Sequence, residues 1–143
     1  ALLLAGLALV RHLEATRPHD LPWTPLDLTA PVGMATQMKL RALADDPAKC
    51  RALIAAASAV VTPVPDRRDG PDCGFTDVVA LDRTALRHGP NPVRVTCPLA
   101  AALIVWERQG VQPGARRHFG TEARGLSNYG SYSCRRLYGA DTG

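Results

Sequence analysis

The residues able to do chemistry are few and scattered. Four cysteines stand at 50, 73, 97 and 134, and four histidines at 12, 19, 88 and 118. No Cys-x-x-Cys, Cys-x-x-His, His-x-His or His-x-x-x-His pair occurs, which argues against a structural zinc site. An even cysteine count after an apolar N-terminal run points to an oxidising compartment and two disulfides. Three connectivities are open. The expected one is Cys50–Cys73 with Cys97–Cys134, each tying a helix to a nearby strand. The alternative is a cysteine whose partner lies in sequence beyond this chain. No spacing defines a Ser-His-Asp or Cys-His set, and no glycine-rich phosphate loop is present. The histidines read as linker, loop and helix-end residues. The most site-like segment is Ser131-Tyr-Ser-Cys-Arg-Arg136. Hydroxyls and guanidiniums at a strand end can hold a carboxylate by paired hydrogen bonds. The plainer reading is a disulfide-tied strand end whose arginines face water.

The elements that must position these groups belong to one domain of ordinary size, 143 residues with 46% apolar and 21% charged. That balance excludes a wholly disordered chain. Aromatics are 5%, so the core must come from Ala, Leu and Val. The net charge is +4, concentrated after residue 104, which suits an anionic polymer or lipid surface. The arginines are dispersed and carry no nucleic-acid motif, so nucleic acid is not an expected partner.

Ala1–Val10 is purely apolar and closed by Arg11 and His12. Ten residues are too few to span a bilayer but suit the end of an N-terminal membrane anchor, residues 1–13. Residues 14–31, with Pro18, Pro22, Pro25 and Pro31, read as an extended linker, with Trp23 pinning it to the domain or, alternatively, sitting at a membrane interface. The domain proper is placed at 32–143. A helix over 32–44 is expected to bury Met34, Met38 and Leu40–Leu43. The next starts at Asp46-Pro47 and buries Cys50, Leu53, Ile54 and Ala57. Val60–Pro65 is a proline-limited edge strand, followed by strands at Asp77–Leu81 and Val93–Val95. Residues 83–92 read as a turn-rich connection. Thr96-Cys97-Pro98 starts a helix with Leu99, Ala102, Leu103 and Trp106 on one face, and Pro113-Gly114 is expected to break it. A last strand falls at Ala123–Tyr129. The pattern predicts an α+β fold, helices packed on a small antiparallel sheet.

Six segments carry a family resemblance: Pro22-Trp-Thr-Pro-Leu-Asp-Leu28, Asp46-Pro-Ala-Lys-Cys50, Cys73-Gly-Phe75, Thr96-Cys-Pro-Leu-Ala-Ala-Ala-Leu103, Arg116-Arg-His-Phe-Gly120 and Gly130-Ser-Tyr-Ser-Cys-Arg135. On these the chain resembles the bacterial extensin-like C-terminal domain proteins. The resemblance implies a fold like that of the zinc D-Ala-D-Ala carboxypeptidases, an inner-membrane anchor and a periplasmic domain facing peptidoglycan. It places the substrate carboxylate on Arg135, with Ser131 and Tyr132 beside it. It also implies a zinc motif, Ser-x-His with a later Asp and then His-x-His, beyond Gly143. The chain in hand is therefore expected to be inert, a piece of a zinc-dependent peptidoglycan peptidase. The alternative is a non-catalytic wall-binding or structural module in the periplasm.

Overall fold

The computed structural model describes residues 2–134. Helix α1 (Leu2–Thr16) leads to α2 (Thr36–Arg41) and α3 (Pro47–Ala56). Strands β1 (Val60–Pro63), β2 (Arg67–Arg68), β3 (Gly74–Phe75), β4 (Val78–Arg83), β5 (Arg87–Gly89) and β6 (Val93–Thr96) follow. Helices α4 (Cys97–Trp106) and α5 (Gln112–Phe119) precede the last strand, β7 (Gly125–Ser127). The fold is α+β, as its pattern predicts.

Strand β4 organises the sheet. It pairs antiparallel with β1 on one side and with β6 and β5 on the other. The prolines of the β1 segment keep it at the edge, where a missing N–H leaves no ladder bond unmade. The expected antiparallel order holds for these pairs, but β7 runs parallel to β5, so the sheet is mixed. Residues 83–92 therefore hold a strand as well as turns. The β2–β3 hairpin forms a separate two-stranded sheet.

Local chemistry explains the helix starts. The Asp46 carboxylate accepts the Lys49 N–H at 3.0 Å, and Pro47 occupies the first turn of α3, where its absent N–H leaves nothing unpaired. Cys50, Ile54 and Ala57 are buried along one face of α3, as the spacing requires. In α4 the buried residues are Cys97, Ala100, Ala101, Ile104 and Val105, while Leu99 and Trp106 are exposed. This helix is apolar on all sides, so periodicity has no polar face to mark the outside. Ala100 and Leu103 meet the sheet, and Ala101, Ile104 and Val105 join the cluster that includes α3. Pro113 does not break the helix. A π turn at Glu107–Val111 places Pro113 in the first turn of α5, so the chain stays helical from Cys97 to Phe119. Gly120, at φ +69°, then ends it in the left-handed conformation that glycine adopts freely.

The expected stripe of α2 is also corrected. Met34 and Met38 face out, and Ala35, Thr36, Lys39 and Leu43 are buried. Lys39 is buried because its ammonium clamps the preceding segment, donating to the Pro18 carbonyl at 3.2 Å and the Thr24 hydroxyl at 2.9 Å. Leu26 and Leu28 enter the helical core. The proline-rich stretch is thus packed onto the domain by two leucines and a lysine. Trp23 instead lies exposed, its indole N–H donating to Glu14 at 3.0 Å.

Two disulfides are present, Cys50–Cys97 and Cys73–Cys134. The expected pairing is therefore wrong in both bonds. Cys50 and Cys97 meet inside the helical core, both fully buried. Cys73 lies next to the β2–β3 hairpin, and the chain after β7 crosses to that hairpin rather than running back to the start of α4.

His88 and Glu107 form a buried polar network that sequence spacing hides. Glu107, fully buried at the head of the π turn, lies 2.8 Å from Nε2 of the buried His88 on β5. The Thr84 hydroxyl donates to its other oxygen. His88 is thus a core residue rather than a loop residue. Removing one partner of a buried pair strands the other, at a cost of about 3–5 kcal/mol. Urea unfolding of Glu107→Ala should show a loss of that order, with a smaller loss for Glu107→Gln. A midpoint for Glu107→Ala equal to that of the parent chain would show that the network carries no stability.

Candidate ligand-binding cleft

Strand alternation divides the sheet into two faces. Val79, Leu81, Val93 and Val95 pack toward Ala100 of α4. Their neighbours Val78, Ala80, Arg94 and Thr96 line a cleft on the other side, with Val78 opposite Thr96 and Ala80 opposite Arg94. The cleft has a volume of about 820 Å³, within the range of small-molecule sites. A shallower hollow of about 540 Å³ beside α5 presents almost only carbon.

The roof of the cleft is the arch Asn128–Tyr132. Asn128 fixes where the arch begins. Its N–H donates to the Gly89 carbonyl at 3.0 Å, its side-chain amide donates to the Asn91 carbonyl at 3.0 Å, and its side-chain oxygen accepts the Gly130 N–H at 3.1 Å. Gly130 has φ +94°, which lets the chain reverse over the sheet. The Ser131 hydroxyl donates to the Arg94 carbonyl. Tyr132 then meets Phe75 of β3 edge-on, with ring centroids 5.3 Å apart at 80°, a favourable aromatic geometry. Two residues later Cys134 is bonded to Cys73.

The electrostatics are one-sided. Arg67 and Arg94 line the cleft, and no Asp or Glu does so among the described residues. Arg67 is held by Asp69 at 2.7 Å, and that hydrogen bond raises the guanidinium pKa further. Arg94 has no ion-pair partner among the described residues.

Of the residues the sequence singled out, Ser131 and Tyr132 do line the cleft, and Cys73 and Cys134 hold its roof. The Ser131 hydroxyl is engaged in holding the arch to β6. Cys50 and Cys97 belong to the core instead. Arg135 lies outside the described residues. Arg94, Arg67 and Phe75 were missed, because strand register and the crossover after β7 bring them together. The one available signal was the alternation Val93-Arg94-Val95-Thr96, which marks Arg94 as outward-facing.

Among the described residues no three His, Cys, Asp or Glu side chains gather as a metal site. All four cysteines are in disulfides, and His88 Nε2 is engaged by Glu107. The resemblance places its zinc ligands after residue 143, outside these residues.

A family model described as "Extensin-like protein C-terminus" matches residues 48–143. No curated protein and no solved structure matches the chain. The matched region takes in all four cysteines, the sheet that floors the cleft and the arch above it, and it begins after α1 and the proline-rich stretch. With more than half of its length covered, the chain belongs to the extensin-like C-terminal domain family.

Proposed function

We propose that this domain binds the peptide portion of peptidoglycan on the periplasmic side of the bacterial inner membrane. The observation that carries the reading is the cleft: a basic, partly aromatic groove whose roof is fixed by a disulfide. Guanidiniums suit the carboxylates of wall peptides. Two disulfides suit an oxidising compartment.

Helix α1 supports membrane attachment. It exposes Leu3, Leu4, Leu7, Leu9 and Val10 to solvent, with Arg11 in its second half and Arg17 just past its end. No helix of the described residues is long and apolar enough to cross a membrane. The apolar surface of α1 would enter the acyl layer as the end of an N-terminal membrane anchor.

The resemblance carries a further reading, zinc-dependent cleavage of peptide cross-links by a longer protein containing this domain. Its metal ligands would come from outside the described residues, and the part of this cleft would be to hold and orient the peptide. A non-catalytic wall-binding module would use the same cleft in the same way. Release of soluble muropeptides by the longer protein separates the two readings.

Sedimentation with purified bacterial sacculi tests the proposal. The chain should co-sediment, and recovery in the pellet should fall in 0.5 M salt, where the Debye length drops to roughly 4 Å and long-range attraction is screened. Reduction of the disulfides should also lower it, by freeing the arch. A chain that stays in the supernatant under all conditions would overturn the reading. In flotation with anionic vesicles, Leu4→Asp/Leu7→Asp should abolish association. Unchanged flotation would remove α1 from membrane attachment.

A further inference from the structure

We propose that Arg94 is the anion-recognition residue of the cleft, and that its ligand is a peptide bearing a free carboxylate, seated between β6 and the arch. The inference deepens the wall-binding reading and rests on it for the kind of polymer involved.

The cleft carries two guanidiniums and no carboxylate among the described residues. Arg67 is already paired with Asp69, so its charge is largely answered within the hairpin. Arg94 alone is left with no ion pair among the described residues, and it projects from the middle of a strand, where the backbone is fixed by the ladder to β4. The residue opposite is Ala80, whose methyl group leaves room over the sheet. The arch is tied to Arg94 through its own carbonyl, which accepts from Ser131, so the guanidinium's base and the roof are positioned together.

The shape of the charge selects the ligand. One planar guanidinium presents a fork of parallel donors matched to a planar carboxylate. The Tyr132 phenol and Thr96 hydroxyl line the same space and can complete the hydrogen bonding. A phosphate dianion is better served by several cations or a nest of backbone N–H groups. The Phe75–Tyr132 pair offers an apolar wall for the aliphatic side chains of a short peptide. Ser131 is the arch's own fastening to β6, and its hydroxyl is committed to that bond.

The test is a calorimetric titration of the chain with Nα-acetyl-D-Ala-D-Ala and, separately, with its C-terminal amide. The carboxylate form should bind roughly 10- to 100-fold more tightly than the amide, the ratio expected of a charge-assisted pair. Arg94→Ala should bring the carboxylate form down to the affinity of the amide and leave the amide unchanged. Arg94→Lys should restore part of the preference. Thermal unfolding of each variant, with Arg94→Gln as a third, verifies that the fold is retained. Equal binding of acid and amide, an Arg94→Ala affinity equal to that of the parent, or no binding of either peptide would overturn the assignment. Sacculus sedimentation of the same variants separates the two proposals. An Arg94-dependent carboxylate preference without sedimentation upholds this inference and defeats the wall reading. Sedimentation that is indifferent to Arg94→Ala does the reverse.

Discussion

The Cys50–Cys97 disulfide is the constraint on which the rest of the structure depends. It joins the middle of α3 to the first residue of α4, across 47 positions of sequence, and both sulfurs are fully buried. Every strand from β1 to β6 lies inside the loop it closes. Closing a loop of this length removes about 4 kcal/mol of conformational freedom from the unfolded chain in the chain-entropy account. That matters because the core is modest. Apart from the two cysteines, its buried apolar members are Ala, Val, Leu and Ile, with no Phe, Trp or Tyr among the described residues. Alanines at 57, 100 and 101 let helices and sheet approach closely but each bury little area. Cys73 then reaches out of the closed loop to Cys134, so the cleft's roof is tethered to the same covalent frame.

A second line of contacts runs from the core to the cleft. Glu107 fixes His88, and so sets β5 against the long helix. Strand β5 aligns β7 in parallel, with His88 opposite Leu126 and Gly89 opposite Ser127. Asn128 follows at once and bonds to the Gly89 carbonyl, which sets the first residue of the arch. The arch is thus placed at one end by a buried polar network and at the other by a disulfide. One support is the main sheet and the other the β2–β3 hairpin, so the arch is held at both ends.

Much of this was legible in the sequence where a local rule had a single outcome. Asp46-Pro47 and Thr96-Cys97-Pro98 marked helix starts, and the Cys50–Ala57 spacing marked a buried face. The prolines of β1 marked an edge. The Ser131–Cys134 segment was site-like on residue type alone, and Ser131 and Tyr132 do line the cleft. Legibility failed where two outcomes satisfied the same rule. Helix α4 is apolar all round, so Leu99 and Trp106 looked as buried as Ala100 and Ile104. Pro113 reads as a break unless a π turn precedes it. Four cysteines allow three pairings, and the choice depends on which face of the sheet the chain crosses after β7. Arg94 joins Tyr132 only through that same crossover, and His88 meets Glu107 only through the placement of β5.

The central claim is that two cross-links of different purpose, one in the core and one over the cleft, set this architecture. Peptide mapping of the unreduced chain by mass spectrometry tests it most directly. The expected disulfide-linked peptides contain Cys50 with Cys97 and Cys73 with Cys134. Linked peptides joining Cys50 to Cys73 and Cys97 to Cys134 would contradict it, because the arch could not then be fastened to the hairpin that walls the cleft.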